Sequence, residues 1–257
     1  MAVTAERAQA NLEHKREQAG VKANTPSISA NNNIEEEMST VLERVLTSPP
    51  APADIPDDPA RERRVRARRE RRDNPEPVLS DIGVGRRHIR CSFETYQGKD
   101  KVIPACKAFV ESPVDMVLTG APGTGKTHLA VAILRELVRE SKIRRDTHAR
   151  FVPVPELLAE IRASYRDNGP DERDIMNRYS GLPYLVLDDL GAEKTTEWSI
   201  TTLYLIIDRR YRDERPTIVT TNLTLDQIAV TLSERISSRL ASGKVITLQG
   251  PDYRVKR

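Results

Sequence analysis

The stretch Gly120-Ala-Pro-Gly-Thr-Gly-Lys-Thr127 constrains this chain more than any other feature, because a G-x-x-x-x-G-K-[ST] run has its meaning only between a strand and a helix. Both flanks are present. Apolar, β-prone Val114-Asp-Met-Val-Leu-Thr119 precedes it, and Leu129, Ala130, Ile133, Leu134, Leu137 and Val138 recur after it with helical spacing. A strand feeding a glycine turn that opens a helix aims several backbone N–H groups, and the positive end of the helix dipole, at one anionic group. The pattern predicts a nucleoside triphosphate site, with ATP held by Gly120, Pro122, Gly123, Thr124, Gly125, Lys126, Thr127 and His128. Lys126 is expected to neutralise the β- and γ-phosphates, and the Thr127 hydroxyl to hold Mg²⁺.

Such a site needs acidic residues at the end of a neighbouring strand, and Tyr184-Leu-Val-Leu-Asp-Asp189 supplies them. Asp188 is expected to orient Mg²⁺ through water, as its second metal-site residue beside Thr127. Asp189 stands where many such ATPases carry the base that activates the attacking water. An aspartate is one methylene shorter than the more usual glutamate, so the water is held less closely and slow turnover is expected. A third element, Pro216-Thr-Ile-Val-Thr-Thr-Asn222, is a β-branched strand ending in an amide. In additional-strand P-loop ATPases a polar residue there reaches the γ-phosphate and the attacking water, which makes Asn222 the third catalytic candidate with Asp189 and Arg239, introduced below.

Strand and helix alternate regularly from about residue 80 onward, which predicts an α/β domain with a parallel sheet covered on both faces. The helices are expected over Pro155–Tyr165, Thr196–Arg212 and Leu225–Leu240, with a polar excursion over Arg166–Arg178 and a last strand at Lys244–Leu248. Residues 1–48 contain two short helix-prone stretches, 1–20 and 34–46, the second with Met38, Val41, Leu42, Val45 and Leu46 on one side. They cannot bury much alone and read as a partner-docking region, partly disordered. Residues 49–79 read as a linker and an arginine-rich segment: Pro49, Pro50, Pro52, Pro56 and Pro59 exclude regular structure, and an arginine helix follows, stopped by Pro75 and Pro77.

Net charge is only +3, yet residues 61–72 hold eight arginines against two glutamates, so the remainder is slightly acidic. As a helix this segment is cationic nearly all round and suited to phosphate contact; as a linker it is a solvated charge run. Cys91 and Cys106 are the only cysteines and the four histidines are scattered, which argues against a structural zinc site. No signal peptide or run of ~18 apolar residues is present, so a cytoplasmic protein with reduced thiols and no membrane contact is expected. Near the end, Glu234-Arg-Ile-Ser-Ser-Arg-Leu240 sets Arg235 and Arg239 one helical turn apart. Spacing alone reads this pair first as a salt-bridging surface, and only second as an arginine reaching a neighbouring subunit's γ-phosphate.

Taken together, residues 85–257 resemble the bacterial helicase loaders of the DnaC/DnaI type and the related IstB transposition helpers, within the AAA+ class. The resemblance rests on Arg90-Cys-Ser-Phe-Glu-Thr-Tyr96, Phe151-Val-Pro-Val-Pro-Glu-Leu-Leu158, Asp188-Asp-Leu-Gly-Ala-Glu193, Ile207-Asp-Arg-Arg-Tyr211 and Thr217-Ile-Val-Thr-Thr-Asn222, beyond the phosphate loop itself. It implies an AAA+ P-loop domain over 80–257, without a C-terminal helical lid because the sequence ends seven residues after Gly250. It also implies that Arg239 is an arginine finger acting in trans, so the ATPase domains self-associate, and that the stretch Tyr165–Arg178 corresponds to a helical insertion touching single-stranded DNA. Arg254, in Asp252-Tyr-Arg, matches a family-end motif whose contact with nucleotide is left open. The N-terminal region lacks the cysteine and histidine ligands of the zinc-binding loader type.

The function these features point to is an ATP-dependent loader that binds the hexameric replicative DNA helicase and single-stranded DNA. Its alternative is a helper ATPase that deforms duplex DNA for a transposase. Thr-Thr-Asn at 220–222 is loader-like, whereas helpers resemble Thr-Ser-Gln there. An adaptor with a degenerate nucleotide site is disfavoured by intact Lys126, Asp188, Asn222 and Arg239.

Overall fold

Five short apolar runs carry the sheet, and each alternates its side chains between two cores. The structure, a computed structural model, describes residues 58–98, 100–164 and 171–254. The strands are β1 (Met116–Gly120), β2 (Ala149–Pro153), β3 (Tyr184–Leu190), β4 (Thr217–Thr221) and β5 (Lys244–Leu248), all parallel in the order β2-β3-β4-β1-β5. Strand β4 is therefore the additional strand, seated between the strand of the phosphate loop and the strand of the acidic pair.

Met116, Leu118, Phe151, Val186, Ile218 and Ile246 point into one core. Val117, Val152, Leu185, Leu187 and Val219 point into the other. That period of two with both faces apolar is why the strands read as continuous hydrophobic runs, and it requires helices on each side. The first core is closed by α2 (Glu76–Asp81), α3 (Ile103–Glu111) and α4 (Lys126–Arg139). The second is closed by α5 (Val154–Ala163), α6 (Glu172–Gly181), α7 (Glu197–Arg212), α8 (Leu225–Thr231) and α9 (Glu234–Ala241). Thr196 and Ser199 form a capping box that starts α7, and Thr224 with Gln227 does the same for α8.

Two stretches refine their sequence-based outline. The arginine-rich run is the helix expected there, α1 (Pro59–Asp73), but Pro59 opens it rather than excluding structure, since a first-turn proline lacks only an N–H that has no intrahelical acceptor. It belongs to the same compact unit as the sheet, and Val78 and Leu79 just after it are already in the core. Within the polar excursion, residues 172–181 form α6, capped by the Asp171 side chain and anchored by buried Ile175 and Tyr179. The expectations over residues 1–48, the prolines up to Pro56, and residues 165–170 lie outside the described residues.

One buried cation ties α6, α7 and β4 together. Arg210 is 0% exposed, and its guanidinium donates to the carbonyls of Tyr179 (3.0 Å), Leu182 (2.7 Å) and Pro216 (2.8 Å) and to Thr217 Oγ1 (2.8 Å). Burial pulls its pKa down to about 9. Arg210→Ala strands several buried acceptors at about 1–3 kcal/mol each, so a loss of at least ~3 kcal/mol is expected. Urea unfolding monitored by far-UV circular dichroism checks it; a change below ~1 kcal/mol contradicts the role.

Candidate nucleotide-binding site

The phosphate loop leaves β1 and becomes α4 through a left-handed glycine. Gly125 has φ +94° at the helix N-cap, a conformation that L side chains rarely adopt, and Lys126 begins the helix. The Lys126 ammonium is buried and donates to the carbonyls of Gly120 (2.8 Å) and Ala121 (2.9 Å), so the loop itself fixes its position. Burial lowers its pKa, and the neighbouring Asp189 opposes the shift. Thr124 spends its hydroxyl inside the loop, on Ala121 O at 2.8 Å, which staples the turn. Pro122 lies exposed on the outside of the loop.

Beneath the loop the acidic strand meets it. Thr127 Oγ1 donates to Asp188 Oδ1 at 2.9 Å, and Thr220 Oγ1 donates to the same oxygen at 2.7 Å. The Asp188 carboxyl is buried, which pushes its pKa up, while the two hydroxyls pull it back. A hard oxygen pair on one side of the phosphate loop fits Mg²⁺: Thr127 Oγ1 and Asp188 are adjacent, and a buried carboxylate gains from a cation. Asp189 is set apart by the backbone. The β3–β4 register shifts between Leu187 and Leu190, and Asp189 takes φ +55°, a positive value uncommon for a non-glycine residue. Its N–H donates to Thr220 Oγ1 at 2.9 Å, so Thr220 braces both aspartates.

The resulting cavity, of about 220 Å³, is lined by Arg87, His88, Gly123, Gly125, Lys126, Thr127, His128, Asp189, Tyr253 and Arg254. Three cations, Arg87, Lys126 and Arg254, face a single carboxylate, which suits a polyphosphate. Burial moves His88 and His128 below the usual imidazole range, with Arg87 and Arg254 adding to the effect on His88. His128 is turned toward the lead-in segment, its Nε2 2.8 Å from Ser92 O and 3.2 Å from Thr95 Oγ1. A neighbouring cavity of about 300 Å³ shares Gly125, His128 and Tyr253 with the first and is walled by Tyr96. The C-terminal segment closes onto the loop: Tyr253 N donates to Gly123 O at 3.1 Å, and a Cβ on Gly123 would fall 1.8 Å from Asp252 Oδ1. A glycine is therefore required at 123 both for its φ of +77° and for that approach.

Two candidates lie elsewhere. Asn222 is exposed just past β4 and is not among the residues lining the cavity, whereas Thr220, two residues earlier, touches both aspartates. Arg239, on α9, also stands away from this chain's own cavity and pairs with Asp208 on α7, Nε to Oδ1 at 2.9 Å. Sequence reading missed Arg87, His88, Thr220 and Tyr253. The Arg86-Arg87-His88 run and the Thr-Thr pair of β4 were visible signals, but only the fold shows which of those side chains turn inward.

A model of the IstB-like ATP binding protein family matches residues 65–256. The chain is 28% identical over 169 residues to the replicative helicase loader DnaC of Escherichia coli (strain K12), which covers 63% of this chain and 67% of that protein. Among solved structures, it is similar to the crystal structure of the DnaC helicase loader, with a TM-score of 0.55 at 26% identity, covering 64% of this chain and all of the other. It is also similar to DnaI, with a TM-score of 0.56 at 27% identity, covering 71% of this chain and 98% of the other.

Proposed function

We propose that this chain, which belongs to the IstB-like ATP-binding family and is an AAA+ protein of the DnaC/DnaI type, loads a hexameric replicative helicase onto single-stranded DNA in an ATP-dependent cycle. The observation that carries the reading is the likeness to a helicase loader over two thirds of that loader's length, joined to a phosphate loop and acidic strand that meet at Thr127 and Asp188. The N–H groups of the loop and Lys126 would bind the β- and γ-phosphates, with Arg87 and Arg254 across the cavity. Thr127 and Asp188 would hold Mg²⁺, which would supply positive charge to offset that of the terminal phosphates. Asp189 would take the proton of the attacking water, and Asn222, which stands outside the cavity, would have to turn toward it to orient that water. Arg239 would complete the site of a neighbouring copy. Turnover is accordingly slow until subunits assemble.

Residues 1–48 are the proposed helicase-docking region, and single-stranded DNA the second partner. The charge of α1 supports a DNA role. Arg61, Arg63, Arg64 and Arg66 are exposed and lie outside the groove between α1 and α4, and among the described residues only Arg66 of the four has an acidic partner, Glu70. Replacing those four by Gln keeps helix propensity and removes charge. The slope of log affinity against log salt for single-stranded DNA should flatten by about 0.7 for each phosphate that is no longer neutralised. An unchanged slope makes α1 a solvated charge run.

Isolation of the protein from native extract tests the main reading. A hexameric helicase should co-purify with the full chain and be lost on deletion of residues 1–48, with ATP hydrolysis retained. Retention of the helicase by the truncated chain removes the docking assignment. Capture of a transposase instead favours the helper reading, which the family's IstB-like designation keeps in view.

A further inference from the structure

The surface where α7 meets α9 carries an arginine held by one edge. Asp208 Oδ1 accepts from Arg239 Nε at 2.9 Å, and Asp208 Oδ2 accepts from Arg212 Nε at 3.0 Å. The guanidinium of Arg239 also lies over the Tyr211 ring, 4.9 Å from its centroid. A guanidinium has five N–H donors, and only the one on Nε is used here. Its two terminal nitrogens, the fork that grips phosphate oxygens in pairs, make no hydrogen bond among the described residues.

A casual surface ion pair is a poor description of this arrangement. Exposed pairs of long side chains wander between partners and are worth little. Here the Asp208 side chain is only 15% exposed and both of its oxygens are occupied, so it cannot swing to follow Arg239. The aromatic face of Tyr211 restrains the guanidinium plane as well. Charge balance points the same way, because two arginines share one carboxylate and a net positive charge remains. Exposed Leu205, on the same helix as Asp208 and nearly one turn before it, adds apolar surface suited to a protein neighbour.

We propose that Asp208 and Tyr211 are positioning residues for Arg239: they hold the guanidinium by its Nε edge and its face, so that the terminal nitrogens project toward the terminal phosphate of ATP bound to a second copy of this chain. The proposal rests on the reading of Arg239 as acting in trans. Asp208 touches no substrate in it. Its contribution is to fix, before the subunits meet, the direction of a side chain that otherwise samples many rotamers.

Steady-state ATP hydrolysis by assembled protein tests this, with binding of a fluorescent ATP analogue and melting temperature as controls. Asp208→Ala should lower kcat by about 10- to 100-fold, the scale on which misplacement of a catalytic group by ~1 Å acts, and leave KM within about twofold. Asp208→Asn, whose amide oxygen still accepts from Nε, should recover part of the loss. Added to Arg239→Ala, Asp208→Ala should cost nothing further, because the arginine it orients is gone. Mixing locates the effect. Lys126→Ala subunits, which lend an arginine but no working pocket, should restore hydrolysis to Arg239→Ala subunits, and the Lys126→Ala/Asp208→Ala double variant should fail to do so. A slow Arg239→Ala beside an Asp208→Ala of wild-type or higher kcat overturns the positioning role alone. Losses that add in the double variant overturn it too, since Asp208 then acts by another route. A wild-type rate in Arg239→Ala removes the trans reading itself, and the positioning role with it.

Discussion

Arg239→Ala should bind ATP with nearly unchanged affinity and hydrolyse it about 10³-fold more slowly. The expected split follows from where the side chain is. It stands on α9, outside the cavity formed by the phosphate loop of its own chain, so removing it leaves every local phosphate contact in place. What disappears is charge delivered to the transition state, in which negative charge spreads over the oxygens of the transferring phosphoryl group. A preorganised cation in a water-poor pocket acts there more strongly than it does in the ground state. Binding is measured by titration of an ATP analogue, and turnover by phosphate release at protein concentrations where the wild type assembles. A parallel loss of affinity and rate places Arg239 in its own pocket or in the fold, and an unchanged rate leaves it a surface ion pair with Asp208.

Asp189→Asn should slow hydrolysis by on the order of 10²- to 10⁴-fold, the range of a positioned general base, with ATP binding preserved. The backbone supports the assignment. Asp189 follows a register shift, adopts φ +55° and lines the cavity beside Lys126 and Thr127, while Asp188 is directed down to the hydroxyls of Thr127 and Thr220. Strain of this kind persists where surrounding contacts over-determine it, here through the Asp189 N–H to Thr220 Oγ1 bond of 2.9 Å. Asparagine tolerates the same backbone conformation, so the substitution isolates the chemistry. Asp188→Asn should behave differently, weakening Mg²⁺-dependent binding first. Single-turnover kinetics separate the two. Equal turnover in Asp189→Asn and wild type removes Asp189 from the base role.

The phosphate loop and acidic strand were legible in the sequence because their signals are local: a glycine-rich turn, a helical repeat after it, and two carboxylates ending an apolar run. The strand at 217–221 was legible as a strand, and its position between β1 and β3 comes from the fold. Partners brought together by folding were not legible. Thr220 looks like any β-branched strand residue until the register with β3 sets it against Asp188 and Asp189. Arg87, His88 and Arg254 come from opposite ends of the domain to one cavity, and Asp208 meets Arg239 across 31 residues. The polarity of 166–178 hid α6 from the residue pattern, though the family resemblance implied a helical insertion there, and its anchor, Arg210 beneath Tyr179, is a cation that composition assigns to the surface.

The most direct test of the loader account is retention of a hexameric helicase on circular single-stranded DNA. The full-length chain, with ATP and the replicative helicase of its own source, should raise the number of helicase hexamers stably bound per circle well above the level of helicase alone. Deletion of residues 1–48 should return it to that level. No increase with the full chain, together with no complex between it and the helicase, contradicts the account.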